Sequence, residues 1–291
     1  MKEYVIITDS TADLQKDIAQ SMGIKVIPME YTIDGALKTY CSTDSSFDDK
    51  EFYDMLKKGA KCSTSQITVS TYLDFFKKYL DEGLDILYIC FSSALSGTYN
   101  SSILAKKELE AEYPDRKIIT IDSKAAAMGQ GLLTYKVAKL KKEENFSIED
   151  GENWAQSNMD RICHWFTVDD LHHLARGGRM SSMKATIGST LSIKPVLHVN
   201  SEGKLIPVKN VRGRKKSIKS LFEIMQERMV LEENNEIFIC HAQAYEEAKM
   251  LGDMIKAEYG IEKIHISPIG PIIGTHLGPG AITLFFVGNE K

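Results

Sequence analysis

The chain has 291 residues, 43% of them hydrophobic and 26% charged, with a formal net charge of -4. These values describe a globular protein that can bury a real core, and the weak negative charge argues against a protein built chiefly to coat nucleic acid. No stretch approaches the ~18 consecutive apolar residues of a membrane span, and the opening MKEYVIITDS meets an aspartate and a serine too early for a secretory signal.

The first predicted element is a strand in the apolar run EYVIITDS, followed by a helix over 11–23 with Thr11 or Asp13 as N-cap and Gly23 as its end. Residues 24–35 read as a further strand closing at a turn. A helix follows over 45–59, where Ser46 and Asp49 have capping-box spacing and Gly59 is the stop. Another helix is predicted over 65–83, a strand over 85–93, a helix over 98–113, a strand over 116–123 and a helix over 125–143. Strand and helix alternate, and the strands are apolar throughout, as in a parallel sheet covered by helices on both faces. Beyond this, 192–213 reads as two strands joined near Gly203, 216–229 as an amphipathic helix, and 236–260 as a strand and helix. The last segment, 263–288, reads as strands around a loop rich in glycine and proline. The expected fold class is α/β, with an N-terminal domain over 1–164, a mixed second domain over 165–291 and a soft boundary. Five dispersed cysteines, Cys41, Cys62, Cys90, Cys163 and Cys240, form no C-x-x-C pair, the usage of reduced thiols in a cytoplasmic protein.

Three strands of the first half end alike, at Asp9–Ser10, Ser92–Ser93 and Asp122–Ser123. In a parallel sheet their carboxyl ends share one edge, where ligands bind. The loop FSSALSGTY before a helix has the makings of an anion cradle. Gly97 permits close backbone approach, the helix start offers free N–H groups, and Ser96 adds a hydroxyl. A plain serine cap is the alternative. The loop lacks the Gly-Lys-Ser/Thr ending of a Walker A motif and the Gly-x-Ser-x-Gly of a nucleophile elbow. His172 and His173 are adjacent and would diverge on a helix, which is poor for a shared metal. KCSTSQIT places Thr64 and Ser65 in a polar loop before a helix, an N-cap cluster when read alone. Arg176 and Arg179 flank two glycines, which suits either an anion site or a helix end. His276 sits inside the irregular frame GTHLGPGA, poised either as a hydrogen-bond donor or as a structural residue. Arg212, Arg214, Lys215, Lys216 and Lys219 cluster at a helix start, where positive charge opposes the macrodipole. Docking and plain solvation are both open for them.

Taken together, TDST (8–11), TSQ (64–66), LSGTY (95–99), IDS (121–123), GGRM (177–180), VRGRKKS (211–217) and HLGPGA (276–281) resemble the DegV family of bacterial fatty-acid-binding proteins over essentially the whole chain. The resemblance implies two α/β domains with a long-chain, palmitate-like fatty acid buried between them. Its carboxylate would be held by Thr64 and Ser96, with His276 in the same polar network and Gly97, Ser123 and Arg179 in support. It implies a cytoplasmic carrier in lipid transport or fatty acid metabolism rather than an enzyme, with no catalytic residue, cofactor or metal. In members that serve a fatty acid kinase, the arginine matching Arg212 is the implied docking contact. One departure is Ile67, where the family often has proline after TSQ. The competing expectation is a phosphoryl-transfer or phosphoester-hydrolysing enzyme that uses the Ser96 loop for phosphate and Asp9 or Asp122 for a metal. A nucleic-acid binder using 212–219 is a third.

Overall fold

The computed structural model describes residues 2–169, 171–180 and 192–291. The first half runs β1 (Tyr4–Asp9), α1 (Lys16–Ser21), β2 (Lys25–Ile27), β3 (Met29–Ile33), β4 (Ala36–Tyr40), α2 (Asp49–Lys57), β5 (Cys62–Thr64), α3 (Val69–Asp81), β6 (Asp85–Cys90), α4 (Thr98–Glu112), β7 (Ile118–Asp122), α5 (Met128–Glu144) and α6 (Ile148–Asn158). The second half carries β8 (Ile162–Thr167), α7 (His172–Arg176), β9 (Ile193–Val199), β10 (Leu205–Arg212), α8 (Arg214–Arg228), β11 (Glu236–His241), α9 (Tyr245–Tyr259), β12 (Lys263–Pro268), α10 (Pro271–Leu277) and β13 (Ile282–Val287).

The apolar strands do form a parallel sheet, in the order β2-β1-β6-β7. Every residue of β1 and β6 is buried, as strands covered on both faces require. Asp9, Cys90 and Asp122 therefore end on one edge, with Cys90 in register with Asp122. Pro28 divides the segment expected as one strand into β2 and β3. The second piece leaves the parallel sheet to form a small antiparallel sheet, β4-β3-β5.

The six-stranded sheet has the order β10-β9-β8-β13-β11-β12 and is antiparallel except between β11 and β12. Its two faces are distinct. Cys163, Trp165, Ile282, Leu284 and Phe286 pack in a core shared with residues of α8 and α9. The alternate residues Phe166 and Phe285 join the other core, shared with the first half of the chain. The expected boundary at 164/165 falls inside β8, whose pairing with β9 and β13 makes it wholly part of this second sheet.

Several local expectations shift. Asp9, not Thr11 or Asp13, is the first cap, and it opens a short 3-10 turn before α1 begins at Lys16. Asp48 caps α2 by accepting from Glu51 N at 2.9 Å, two residues beyond the Ser46–Asp49 frame. The reciprocal capping box stands instead at Ser147 and Asp150, at the start of α6. The segment around His276, expected as a loop, is α10, a helix opened by Pro271 at its first position.

Candidate functional site

The site begins where α10, which connects two strands of the second sheet, crosses to β5 of the small sheet. Two side-chain contacts join them. Thr64 Oγ1 lies 2.9 Å from His276 Nε2, and Cys62 Sγ lies 3.0 Å from Thr275 Oγ1. Thr275 in turn donates to the Pro271 carbonyl at 2.6 Å. Tyr53 of α2 fastens the approach to α10 by donating to the Ile269 carbonyl at 2.8 Å. The His276 ring is held over Gly177, where a Cβ would lie 2.3 Å from Nδ1. Burial first, then the charges of Arg179 and His173, pushes the His276 imidazole down to about 4. The ring is therefore neutral at physiological pH and carries one N–H. With that proton on Nε2 and donated to Thr64, the Thr64 hydroxyl is free to donate onward to an anion. His276 Nδ1 has no hydrogen-bond partner among the described residues.

Ser96 arrives from the β6–α4 loop. Its Oγ accepts from Thr98 N at 3.2 Å and lies 2.9 Å from Thr98 Oγ1. With Thr98 as donor, the Ser96 proton also points to an incoming acceptor. Gly97 performs a different task from the one its sequence suggests. The space a Cβ would take is filled by the Gln66 amide, at 2.2 Å from Oε1, and Gln66 Nε2 donates to Ser101 Oγ at 3.2 Å. The glycine thus lets TSQ and SGT pack together rather than opening the backbone to a ligand. Arg179 donates to the Leu95 carbonyl at 3.3 Å and to the Gly177 carbonyl at 2.6 Å.

Thr64, Ser96, Arg179 and His276 all line one cavity of about 780 Å³, its open mouth included. Its remaining wall is largely apolar. Phe91 and Leu95 come from the first half, and Phe166, Leu174, Val199, Leu205, Ile272, Ile273, Leu277 and Phe285 from the second. The cavity therefore runs between the two larger sheets, with Thr64 and Ser96 set in a largely apolar lining. This wall is invisible in the sequence, where an apolar residue reads as ordinary core. His164 also lines it. Its signal is the period-two alternation of ICHWFT, which sets His164 beside Phe166 and opposite Trp165.

The other strand-end polar groups are not gathered here. Asp9 is fully buried and accepts from Thr11 N at 3.0 Å, Tyr88 Oη at 2.8 Å, Gln130 Nε2 at 3.1 Å and Phe91 N at 3.3 Å, with the Thr11 hydroxyl also against it. Asp122 accepts from Ser93 N and Lys124 N, each at 3.1 Å, and from Ser93 Oγ at 2.5 Å. Ser123 donates to the Cys90 carbonyl at 2.5 Å and accepts from Ala125 N at 3.2 Å, and it does not line the cavity. Ser92 donates to the Gly203 carbonyl at 2.9 Å. These bonds tie the strand ends to their own turns and to distant parts of the fold, Gln130 and Gly203 among them. Among the described residues no three His, Cys, Asp or Glu side chains are grouped to hold a metal ion. No helix among them is long and apolar enough to cross a membrane.

Of the basic stretch, Arg212 is exposed at the end of β10, as are Lys215, Lys216 and Lys219 on α8. Arg214 is committed internally, to Asp169 and Glu247 at 3.8 Å each and to the Gly280 carbonyl at 2.5 Å. Those two carboxylates offset the cost of a cation at a helix start.

Comparison with known proteins agrees with the fold. The DegV family model matches residues 3–289. A DegV domain-containing protein of Clostridium perfringens is 44% identical over 291 residues, covering 100% of this chain and 99% of its own. The solved structure of DegV from Bacillus subtilis, described as a fatty acid binding protein, superposes with a TM-score of 0.84 at 30% identity, covering 99% of this chain and 100% of that one. That of a fatty acid binding DegV family protein from Streptococcus agalactiae gives 0.83 at 29% identity, with complete coverage of both. With its motifs, its mixed α/β fold and these full-length matches in accord, the chain belongs to the DegV family.

Proposed function

We propose that this protein binds a long-chain fatty acid, with the carboxylate at Thr64 and Ser96, oriented through His276, and the acyl tail in the apolar cavity. The observation that carries the reading is a pair of hydroxyls, Thr64 and Ser96, in one largely apolar cavity, each free to donate to an anion when His276 Nε2 and Thr98 Oγ1 act as donors to them. Each buried methylene contributes ~0.8 kcal/mol, so the tail supplies most of the affinity. The head-group bonds, about 1.5–3 kcal/mol each when charge-assisted, set its direction. Arg179 adds a positive charge at the same end of the lining without requiring a buried unpaired ion. The acid would lie between an N-terminal α/β unit and a C-terminal one that we divide at the start of β8.

Such a protein is a carrier and needs no nucleophile. In the cytoplasm it would keep the acid out of bulk water and hand it on, to a fatty acid kinase among other users. Exposed Arg212 and the neighbouring lysines are the surface we assign to that partner. The bonds at Asp9 and Asp122 speak against the phosphoryl-transfer reading, because a metal would have to displace donors that already occupy both carboxylates. Denaturing mass spectrometry of organic extracts from the purified protein, with titration by palmitate, tests the proposal. We expect a long-chain acid in the extract and saturable palmitate binding. An empty extract together with no binding of added acid would sink it.

A further inference from the structure

His164 is a polar side chain of the cavity that neither the carboxylate nor the fold uses, and Trp165, whose Nε1 also lacks a partner among the described residues, is its neighbour in the lining. His164 lies in the middle of β8 and is 2% exposed. Neither of its ring nitrogens has a hydrogen-bond partner among the described residues. Strand alternation places it with Phe166 on the cavity face, while Cys163 and Trp165 pack into the core beneath α8. Its ring meets Phe285 edge-on, with centroids 5.6 Å apart at 74°, and its Nδ1–Cε1–Nε2 edge rests on Gly129, where a Cβ would come within 2.0 Å of Cε1, 2.3 Å of Nε2 and 2.5 Å of Nδ1. The ring thus fits a made-to-measure slot, yet its polar atoms serve nothing within it.

The two buried threonine hydroxyls in the lining, Thr11 and Thr283, are already satisfied. Thr283 donates to the Cys240 carbonyl at 3.2 Å, and Thr11 lies 2.7 Å from Gln130 Oε1. An unpartnered buried polar group is uncommon and destabilising, and phenylalanine or leucine would fill the same slot without that cost. We infer that His164 forms a second, polar subsite in the cavity, which takes an acyl chain bearing an oxygen substituent such as a hydroxyl. Burial, reinforced by the charges of Lys291 and His198, holds the imidazole well below its usual range, so the ring is neutral and offers one donor and one acceptor. A hydroxyl offers the same two capacities, whereas a methylene offers neither. This inference rests on the fatty-acid reading and narrows its ligand class from plain to oxygenated acids.

The test compares stearic acid with its monohydroxylated positional isomers by displacement of a fluorescent fatty acid, using native protein and His164→Leu. We expect at least one isomer to bind native protein about tenfold tighter than stearic acid, a hydrogen-bonding gain of about 1.4 kcal/mol. His164→Leu should lose that preference, so that no isomer binds the variant more tightly than stearic acid does. Nitrogen NMR of histidine-labelled native protein gives a second readout that does not depend on the variant folding. The favoured isomer should shift the His164 ring nitrogens, and stearic acid should not. The inference falls if no isomer exceeds stearic acid, or if the preference survives in His164→Leu. It also falls if stearic acid alone brings the ring into a hydrogen bond through trapped water and the isomers gain nothing. In each of those cases stearic acid still binds and the carboxylate reading stands. If no acid binds at all, the failure belongs to that reading instead.

Discussion

Two polar clusters lie near the carboxyl edge of the parallel sheet, and they differ in what they have left to offer. Around Asp9, the donors of Thr11, Tyr88, Phe91 and Gln130 converge on one carboxylate, and Tyr72 lies 2.6 Å from the Tyr88 hydroxyl behind them. The cluster is closed. Around Thr64, the hydroxyls of Thr64 and Ser96 are free to give their protons to a ligand when His276 Nε2 and Thr98 Oγ1 donate to them, and His276 Nδ1 has no partner among the described residues. Richness in hydroxyls and carboxylates does not by itself make a binding site. Capacity left over after the fold has taken its share does.

The largest effect should come from opening the closed cluster. Asp9→Ala strands the donors that converge on it in a dry interior, and we expect a loss of at least about 3 kcal/mol by denaturant unfolding. Fatty acid bound per folded molecule should stay unchanged. Reduced binding by protein that is still fully folded would break the distinction between the clusters.

Asp13 stands between them and sharpens the comparison through pH. It is buried, accepts from Gly270 N at 3.0 Å through Oδ1, and leaves Oδ2 without a partner among the described residues. Burial pushes its carboxyl up to about 8, against a small opposing effect of the Gly270 N–H. The folded state therefore keeps a proton that the unfolded state releases near its ordinary 3.8. Stability from this group is present at low pH and lost as pH rises towards about 8, at about 1.4 kcal/mol per pH unit. Asp13→Asn removes that slope and should stabilise the protein by a few kcal/mol at the alkaline end. Unfolding curves taken across the range check it, and parallel curves for the two proteins would refute it.

The open cluster should respond in the reverse sense to Asp9. Thr64→Val keeps the shape, removes the hydroxyl, and should weaken palmitate binding about tenfold while changing stability by no more than about 1 kcal/mol. Isothermal titration and denaturant unfolding on the same preparations separate the two. A stability loss without an affinity loss would move Thr64 into the closed class.

How much of this is legible in the sequence follows from which forces shape each part. The parallel sheet is legible because β1, β6 and β7 are apolar runs of ordinary strand length, each followed by a helix. The β5 strand is not, because CST is short and polar and its extended form is imposed by pairing with β3. The helix α10 is hidden by its glycines and prolines, although Pro271 at its start is a helix signal, and Gly274 is there because Tyr53 occupies the space of a Cβ, at 2.3 Å from its hydroxyl. The site motifs are legible through resemblance, whereas the Thr64–His276 contact, spanning 212 positions, depends on how α10 crosses to β5. Whether a polar residue is spent or spare is not a property of local sequence at all. Ser96 and Ser123 both follow strands in similar company, yet one lines the cavity and the other bonds back to Cys90.

Ser96 is the finest test of the comparison, because its oxygen already belongs to both worlds. It caps the first N–H of α4 through Thr98 N, and only its proton remains for a ligand. Ser96→Ala should therefore cost about 0.5–1 kcal/mol of stability as a lost helix cap and about threefold in palmitate affinity, less than Thr64→Val, because Thr64 still anchors the carboxylate. Measuring both quantities on the one variant decides its allegiance. A stability loss with unmoved affinity would place Ser96 with Asp9 and Ser123 and leave Thr64 and His276 to hold the anion. An affinity loss equal to that of Thr64→Val with no change in stability would make the two hydroxyls equal partners, and the cap would then fall to the Gly97 backbone and solvent.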